Sequence, residues 1–132
     1  MWKKWFIGAV VLGLMLGGHL GIVGAQDQPK PKKLNPYTGN QEAIKEGRQL
    51  YSYYGCSDCH GRGGGGGMAD PILGYEWTFG SDDGTLFTLI KGQIPEQTMP
   101  TTLGKEMTDD EVWKVLAFVR TLYKGEPSLI NW

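Results

Sequence analysis

The stretch Cys56-Ser57-Asp58-Cys59-His60 constrains this chain more than any other. It reads C-x-x-C-H, a spacing with its own chemistry: each thiol can add to a vinyl group along one edge of a porphyrin. The next residue, His60, is then held beneath the ring with its imidazole aimed at iron. The thioethers set the plane and the histidine fills one axial position, so the motif predicts one haem c, bound covalently through Cys56 and Cys59. Other readings of the same residues exist. A thioredoxin-like C-x-x-C expects a βαβ pattern around it, and no strand-rich region is present. A structural zinc site closes with four nitrogen or sulfur ligands, whereas this chain has two cysteines and two histidines, one of them the leader residue His19. A disulfide across two intervening residues would be small and strained.

The chain has 132 residues, enough for a leader and one domain. Residues 1–25 have the layout of a secretory signal peptide: Lys3 and Lys4, then an apolar run from Trp5 to Val23, then the small-residue site Val23-Gly24-Ala25. An uncleaved anchor is the alternative, because the run approaches spanning length. The glycines and His19 within it favour cleavage and export to the periplasm. A mature domain this small buries about two-thirds of its unfolded surface, and a large apolar cofactor would supply much of the missing core. Two exported cysteines would otherwise pair with each other, a fate that thioether attachment removes. From Leu34 onward there are 8 basic and 13 acidic residues, a net of −5. That balance argues against nucleic acid and for partners met through a local face.

Residues 26–36, with Pro29, Pro31 and Pro36 around three lysines, read as an extended linker. A domain is expected over 37–127 and a short tail over 128–132. Asn40 is placed to N-cap a helix reaching about Tyr53, with Ala43, Ile44, Leu50, Tyr51 and Tyr54 on its apolar face. Gly47 in that face suggests a helix passing close by, and the expected neighbour is Phe118. After the cysteine motif, Gly61-Arg62-Gly63-Gly64-Gly65-Gly66-Gly67-Met68 lacks the Gly-Lys-Ser/Thr end of a P-loop. It is either a flexible linker or a backbone that passes close to a ring or a docking surface. The apolar residues of the loop 69–80 are expected to wrap the haem, and Trp77 either donates to a propionate or packs as an aromatic. A short helix follows from Ser81-Asp82-Asp83 to about Lys91, stopped by Gly92.

The second loop, 93–105, contains Met99-Pro100. A thioether is a soft, weak ligand suited to haem iron opposite a histidine, and Pro100 denies its neighbour helical geometry. Met68, Met107 and Lys91 are the competitors. Thr108-Asp109-Asp110-Glu111 forms a capping box for a final helix to about Lys124, with Val112, Val115, Leu116, Val119 and Leu122 in one stripe.

In this order, the helix before the cysteine motif, Pro71-Ile72-Leu73, Met99-Pro100 and the capped terminal helix with Phe118 resemble a class I monohaem cytochrome c. The resemblance covers residues 35–124 and implies a small all-α fold, with helices at both ends crossing around the haem and long loops between. It also implies that Pro71 offers its carbonyl to the Nδ1–H of His60. Asn35-Pro36-Tyr37-Thr38-Gly39-Asn40 and the glycine run are similar to segments of periplasmic cytochromes that take electrons from PQQ-dependent alcohol or methanol dehydrogenases. Ala69-Asp70-Pro71 stands where those have Gly-Pro.

The expected function is electron transfer on a His60/Met99-ligated haem, between a dehydrogenase and an oxidase or another cytochrome. The protein is expected to be a monomer with no catalytic residues. Two other classes remain: a small haem enzyme or gas sensor with a displaceable distal ligand, and a thiol–disulfide module, which would show no Soret absorption.

Overall fold

A computed structural model describes residues 33–74, 76–126 and 128. The expected leader, most of the linker, Tyr75 and nearly all of the tail lie outside the described residues. Within them the secondary structure is helical: α1 (Gln41–Tyr53), α2 (Cys56–His60), α3 (Asp83–Ile90), α4 (Leu103–Glu106) and α5 (Asp109–Leu122).

The long helices start where the sequence carries caps. The Asn40 side chain accepts from the Ala43 amide at 3.1 Å, and Glu42 in the first turn suits the positive end of the helix dipole. Asp82 does the same for α3 through Thr85. At α5 the Thr108 hydroxyl accepts from the Glu111 amide, and Glu111 reaches back to the Thr108 amide at 2.8 Å. Each such cap contributes about 1 kcal/mol.

The α1–α5 pair is the most extensive helix contact of the fold. Ala43, Gly47 and Tyr51 are the buried residues of α1, spaced four apart on one face. The reason for a glycine there is direct: a Cβ on Gly47 would run into the Lys114 carbonyl and crowd the Val115 amide at 3.1 Å. Backbone meets backbone, so what lies nearest Gly47 is the chain of α5 at Lys114 and Val115 rather than the expected Phe118 ring. The absence of a side chain draws α5 itself into that place. Phe118 packs one turn further along against Tyr51, edge to face at 5.3 Å between ring centroids.

α3 joins α5 through the stacked rings of Phe87 and Trp113, 4.3 Å apart. Beneath them a buried charge pair closes the seam. Arg120 donates to Asp83 Oδ1 through Nε at 2.9 Å and Nη2 at 2.5 Å, with the Asp83 side chain only 1% exposed.

The folded body begins earlier than the sequence suggested. Asn35, inside the expected linker, is buried; its amide donates to Asp83 Oδ2 and its side chain to the Trp113 carbonyl, both at 2.9 Å. Lys33 places its ammonium 3.8 Å from the centroid of the Phe87 ring. Tyr37 donates to Asp110 at the start of α5. Proline and lysine content predicted an extended segment, and residues 33–38 do run extended and turning, but over a surface that fixes them. The expected second loop also contains a helical turn, α4, and Gly104 within it lies against the Lys91 backbone, leaving no space for a Cβ.

A methyl group at position 47 should therefore do the opposite of what helix propensity says. Alanine is ordinarily about 1 kcal/mol better than glycine within a helix. Gly47→Ala should instead lose about 1–3 kcal/mol through overpacking, read as a lower guanidinium or thermal midpoint of the haem-loaded protein. An unchanged or higher midpoint would show that the two helices do not approach this closely.

Candidate haem site

Gly55 takes a left-handed conformation (φ 74°), ends α1 and restarts the chain as α2. This one turn of helix carries the C-x-x-C-H motif, and Gly61 (φ 77°) stops it. Neither cysteine is paired in a disulfide; Cys56 is buried and Cys59 half-buried. Burial pushes the Cys56 thiol up to about 11. Tyr51 fixes the far end of the motif from behind. Its hydroxyl donates to the Gly61 carbonyl at 2.8 Å, and burial raises its own pKa to about 12.

His60 Nδ1 lies 3.0 Å from a backbone carbonyl. That bond holds the proton on Nδ1 and leaves Nε2, the opposite ring nitrogen, as the ligand atom. The carbonyl belongs to Asp70, not to Pro71 as the family resemblance implied. Two ladder-like bonds set this register: the Ala69 amide donates to Cys59 O at 3.1 Å, and the Ile72 amide to Gly64 O at 2.9 Å. Between them Pro71, which has no N–H, turns its ring onto Gly66, where a Cβ would lie 3.1 Å from the ring carbons. Asp70, extended by the proline after it, presents the carbonyl. Pro71 thus shapes the strap, and Asp70 supplies the oxygen. Sequence reasoning missed Asp70 because a backbone acceptor carries no side-chain signal.

The glycine run is not a slack linker. Gly64 N–H donates to Gly61 O and Gly66 N–H to His60 O, while Gly67 N–H donates to Ala69 O. Gly64 is buried against Ile72, Leu73 and Leu122, which leave no room for a methyl. Gly63 and Gly65 differ: both are exposed, and nothing lies within 4 Å of a Cβ at either.

The competing methionines separate by burial. Met68 is 81% exposed and Met107 is 2% exposed in the core, whereas Met99 is half-buried and packs against that core. Lys91 is committed elsewhere, with Nζ 2.9 Å from the Met107 carbonyl and 3.1 Å from Asp109. Trp77 packs against the core with Nε1 buried and without a protein acceptor. A buried N–H without a partner is costly, and a haem propionate is an acceptor that would meet the need. Ile72 also packs on the core, while Phe79 stays 37% exposed.

The thiol pair on one helical turn, an imidazole oriented through Nδ1, a half-buried thioether and an orphan indole N–H all suit a covalently attached haem. Together with the helical fold they define a c-type cytochrome holding one haem c. The chain belongs to the family described as cytochrome C oxidase, cbb3-type, subunit III, whose model matches residues 42–119. It is 29% identical over 129 residues to cytochrome c-L of Methylorubrum extorquens, covering 92% of this chain and 64% of that protein's length. In structure it resembles cytochrome CL from the marine methylotrophic bacterium Methylophaga aminisulfidivorans MPT, with a TM-score of 0.68 and 30% identity over 75% of this chain and 68% of that one. Cytochrome cL from Hyphomicrobium denitrificans gives 0.66 at 25% identity, over 75% and 58% respectively.

Trp77→Phe separates packing from hydrogen bonding. A propionate's negative charge favours Fe(III), and a donor N–H draws that charge away from the iron. Loss of the donor should lower the midpoint potential by on the order of tens of millivolts, the scale of one hydrogen bond in a one-electron couple. Voltammetry of the purified variant reads this; an unchanged potential would leave Trp77 as packing alone.

Proposed function

We propose that this protein is a one-electron carrier of the periplasm and not an enzyme, with His60 and Met99 as the axial ligands of its haem. When bound, the haem supplies an Fe(III)/Fe(II) couple, and His/Met ligation places that couple at high potential. The observation that carries the reading is the set of attachments around His60. Asp70 fixes its tautomer, and the Tyr51 hydroxyl fixes the turn it ends. The imidazole is therefore oriented before and after each electron transfer, which keeps reorganisation small. A carrier of this kind needs neither a bound substrate nor a proton-transfer residue.

For the second ligand, Met99 is the half-buried one of the three described methionines, neither core like Met107 nor exposed like Met68. No helix among the described residues is long and apolar enough to cross a membrane.

The donor we favour is a PQQ-dependent alcohol or methanol dehydrogenase, with an oxidase or a second cytochrome as acceptor. The likeness to the cytochromes cL supports this, and the chain spans 64% of the length of its curated relative, cytochrome c-L. The electron's port is the edge near Cys56 and Cys59, framed by the glycine run. Gly63 and Gly65 have no internal reason to be glycine, whereas a partner surface lying flat against the backbone gives one.

Met99→Ala should open the sixth coordination position. The reduced variant should bind carbon monoxide stoichiometrically while the wild type does not, and its potential should fall by on the order of a hundred millivolts, within the ~0.8 V that axial ligands span. Rapid carbon monoxide binding by the wild type would favour a sensor or haem enzyme instead.

The port makes a separate demand. Gly63→Ala and Gly65→Ala, singly or together, should leave the unfolding midpoint and the potential unchanged and slow reduction by the dehydrogenase about tenfold. Equal reduction rates in stopped flow would place the docking face elsewhere.

A further inference from the structure

The loop that carries Met99 is closed at its base by backbone contacts. A Cβ on Gly92 would lie 2.8 Å from Thr101 Cα, and Gly104 abuts the Lys91 backbone. Those contacts lie at the neck and leave the thioether-bearing residue to be held from within. Inside the loop, Pro95 and Glu96 make a turn that returns the Gln97 amide to Ile94 O at 3.4 Å, with Glu96 at φ 61°, a left-handed conformation that few non-glycine residues take. This turn folds the Gln97 carboxamide back into the loop. Its Nε2 donates to Leu89 O at 3.0 Å and to Met99 O at 2.9 Å, and its Oε1 accepts from the Ile94 amide at 3.1 Å. Both N–H groups and the carbonyl are thus engaged, each with a different part of the backbone.

We propose that Gln97 is the positioning residue for the axial thioether: its carboxamide splints the Met99 backbone to the last turn of α3 and holds the sulfur at iron. The inference rests on Met99 being the ligand. A thioether is a weak ligand, so its bond competes poorly with loop motion, and a splint on its own carbonyl is the shortest way to limit that motion. The chemistry at position 97 is narrow. Glutamate would set a carboxylate against the carbonyls of Leu89 and Met99. Methionine has the same reach and no donor. Asparagine is one methylene short.

The test uses the haem-loaded protein and four variants, Gln97→Glu, Gln97→Met, Met99→Ala and Asn40→Ala. Asn40→Ala removes the α1 cap and serves as a control for general destabilisation. The readouts are the methionine-to-Fe(III) charge-transfer band, the midpoint potential and the affinity of the ferric protein for added imidazole. Both Gln97 variants should weaken the band, lower the potential and bind imidazole about tenfold more tightly, the scale of one or two lost half-buried hydrogen bonds; Asn40→Ala should do none of these. Should Gln97→Glu fail to take up haem, the near-isosteric Gln97→Met decides. Wild-type band and imidazole affinity in the Gln97 variants, with both altered in Met99→Ala, would overturn the splint and leave the ligand standing. An unchanged band in Met99→Ala would overturn the ligand assignment and the splint with it. Equal imidazole gains in Asn40→Ala would show that the effect is only loss of stability.

Discussion

The fold depends on one backbone-to-backbone contact, Gly47 of α1 against Lys114 and Val115 of α5. Because no side chain separates them there, the next turn brings Tyr51 and Phe118 edge to face. The Tyr51 ring is thereby fixed, and its hydroxyl reaches the Gly61 carbonyl at the end of the cysteine motif. A contact in the scaffold is thus translated, through one ring and one hydrogen bond, into the placement of the turn that presents His60. A second seam, between α3 and α5, is closed by Arg120 and Asp83. A charge pair this buried is strongly destabilising to break, on the order of 3–5 kcal/mol if one partner is removed.

Sequence alone was most informative where residue type and spacing both encode the outcome. The C-x-x-C-H pattern named the cofactor, and Asn40, the run Ser81-Asp82-Asp83 and the Thr108/Glu111 pair marked three helix starts. A glycine on a buried face announced a close approach. What it could not announce was the identity of the neighbour, because the partner is the backbone of residue 114 and any side chain would serve there. For the same reason the oxygen that orients His60 was assigned to Pro71 and belongs to Asp70. A carbonyl has no sequence signature, and a register shift of one residue passes unseen until the flanking bonds of Ala69 and Ile72 are known. Residues 33–36 look like a linker by composition, yet Asn35 finds buried partners 48 and 78 residues away. Long-range hydrogen bonds of this kind leave no local trace, and neither do the three bonds of Gln97.

Glycine serves several purposes in this chain. At 47 and 104 it admits another backbone. At 55 and 61 it reverses the sense of the chain and isolates one turn of helix for the cysteine motif. At 64 it makes space for Ile72, Leu73 and Leu122, and this draws the loop that follows the haem ligand onto the end of α5. The run 63–67 is therefore heterogeneous, with internal duties at 64, 66 and 67 and open surface at 63 and 65. A composition count would treat all five alike.

The clasp formed by Lys33 and Asn35 has a mechanical consequence. Tension from anything joined upstream of the body, whether a retained anchor or a tether, enters at this clasp. It is met there by the Phe87 and Trp113 rings and the Asp83 carboxylate, against which Lys33 and Asn35 lie. A pull on the amino end would therefore load the α3–α5 seam first, a full helix away from the strap that orients the imidazole.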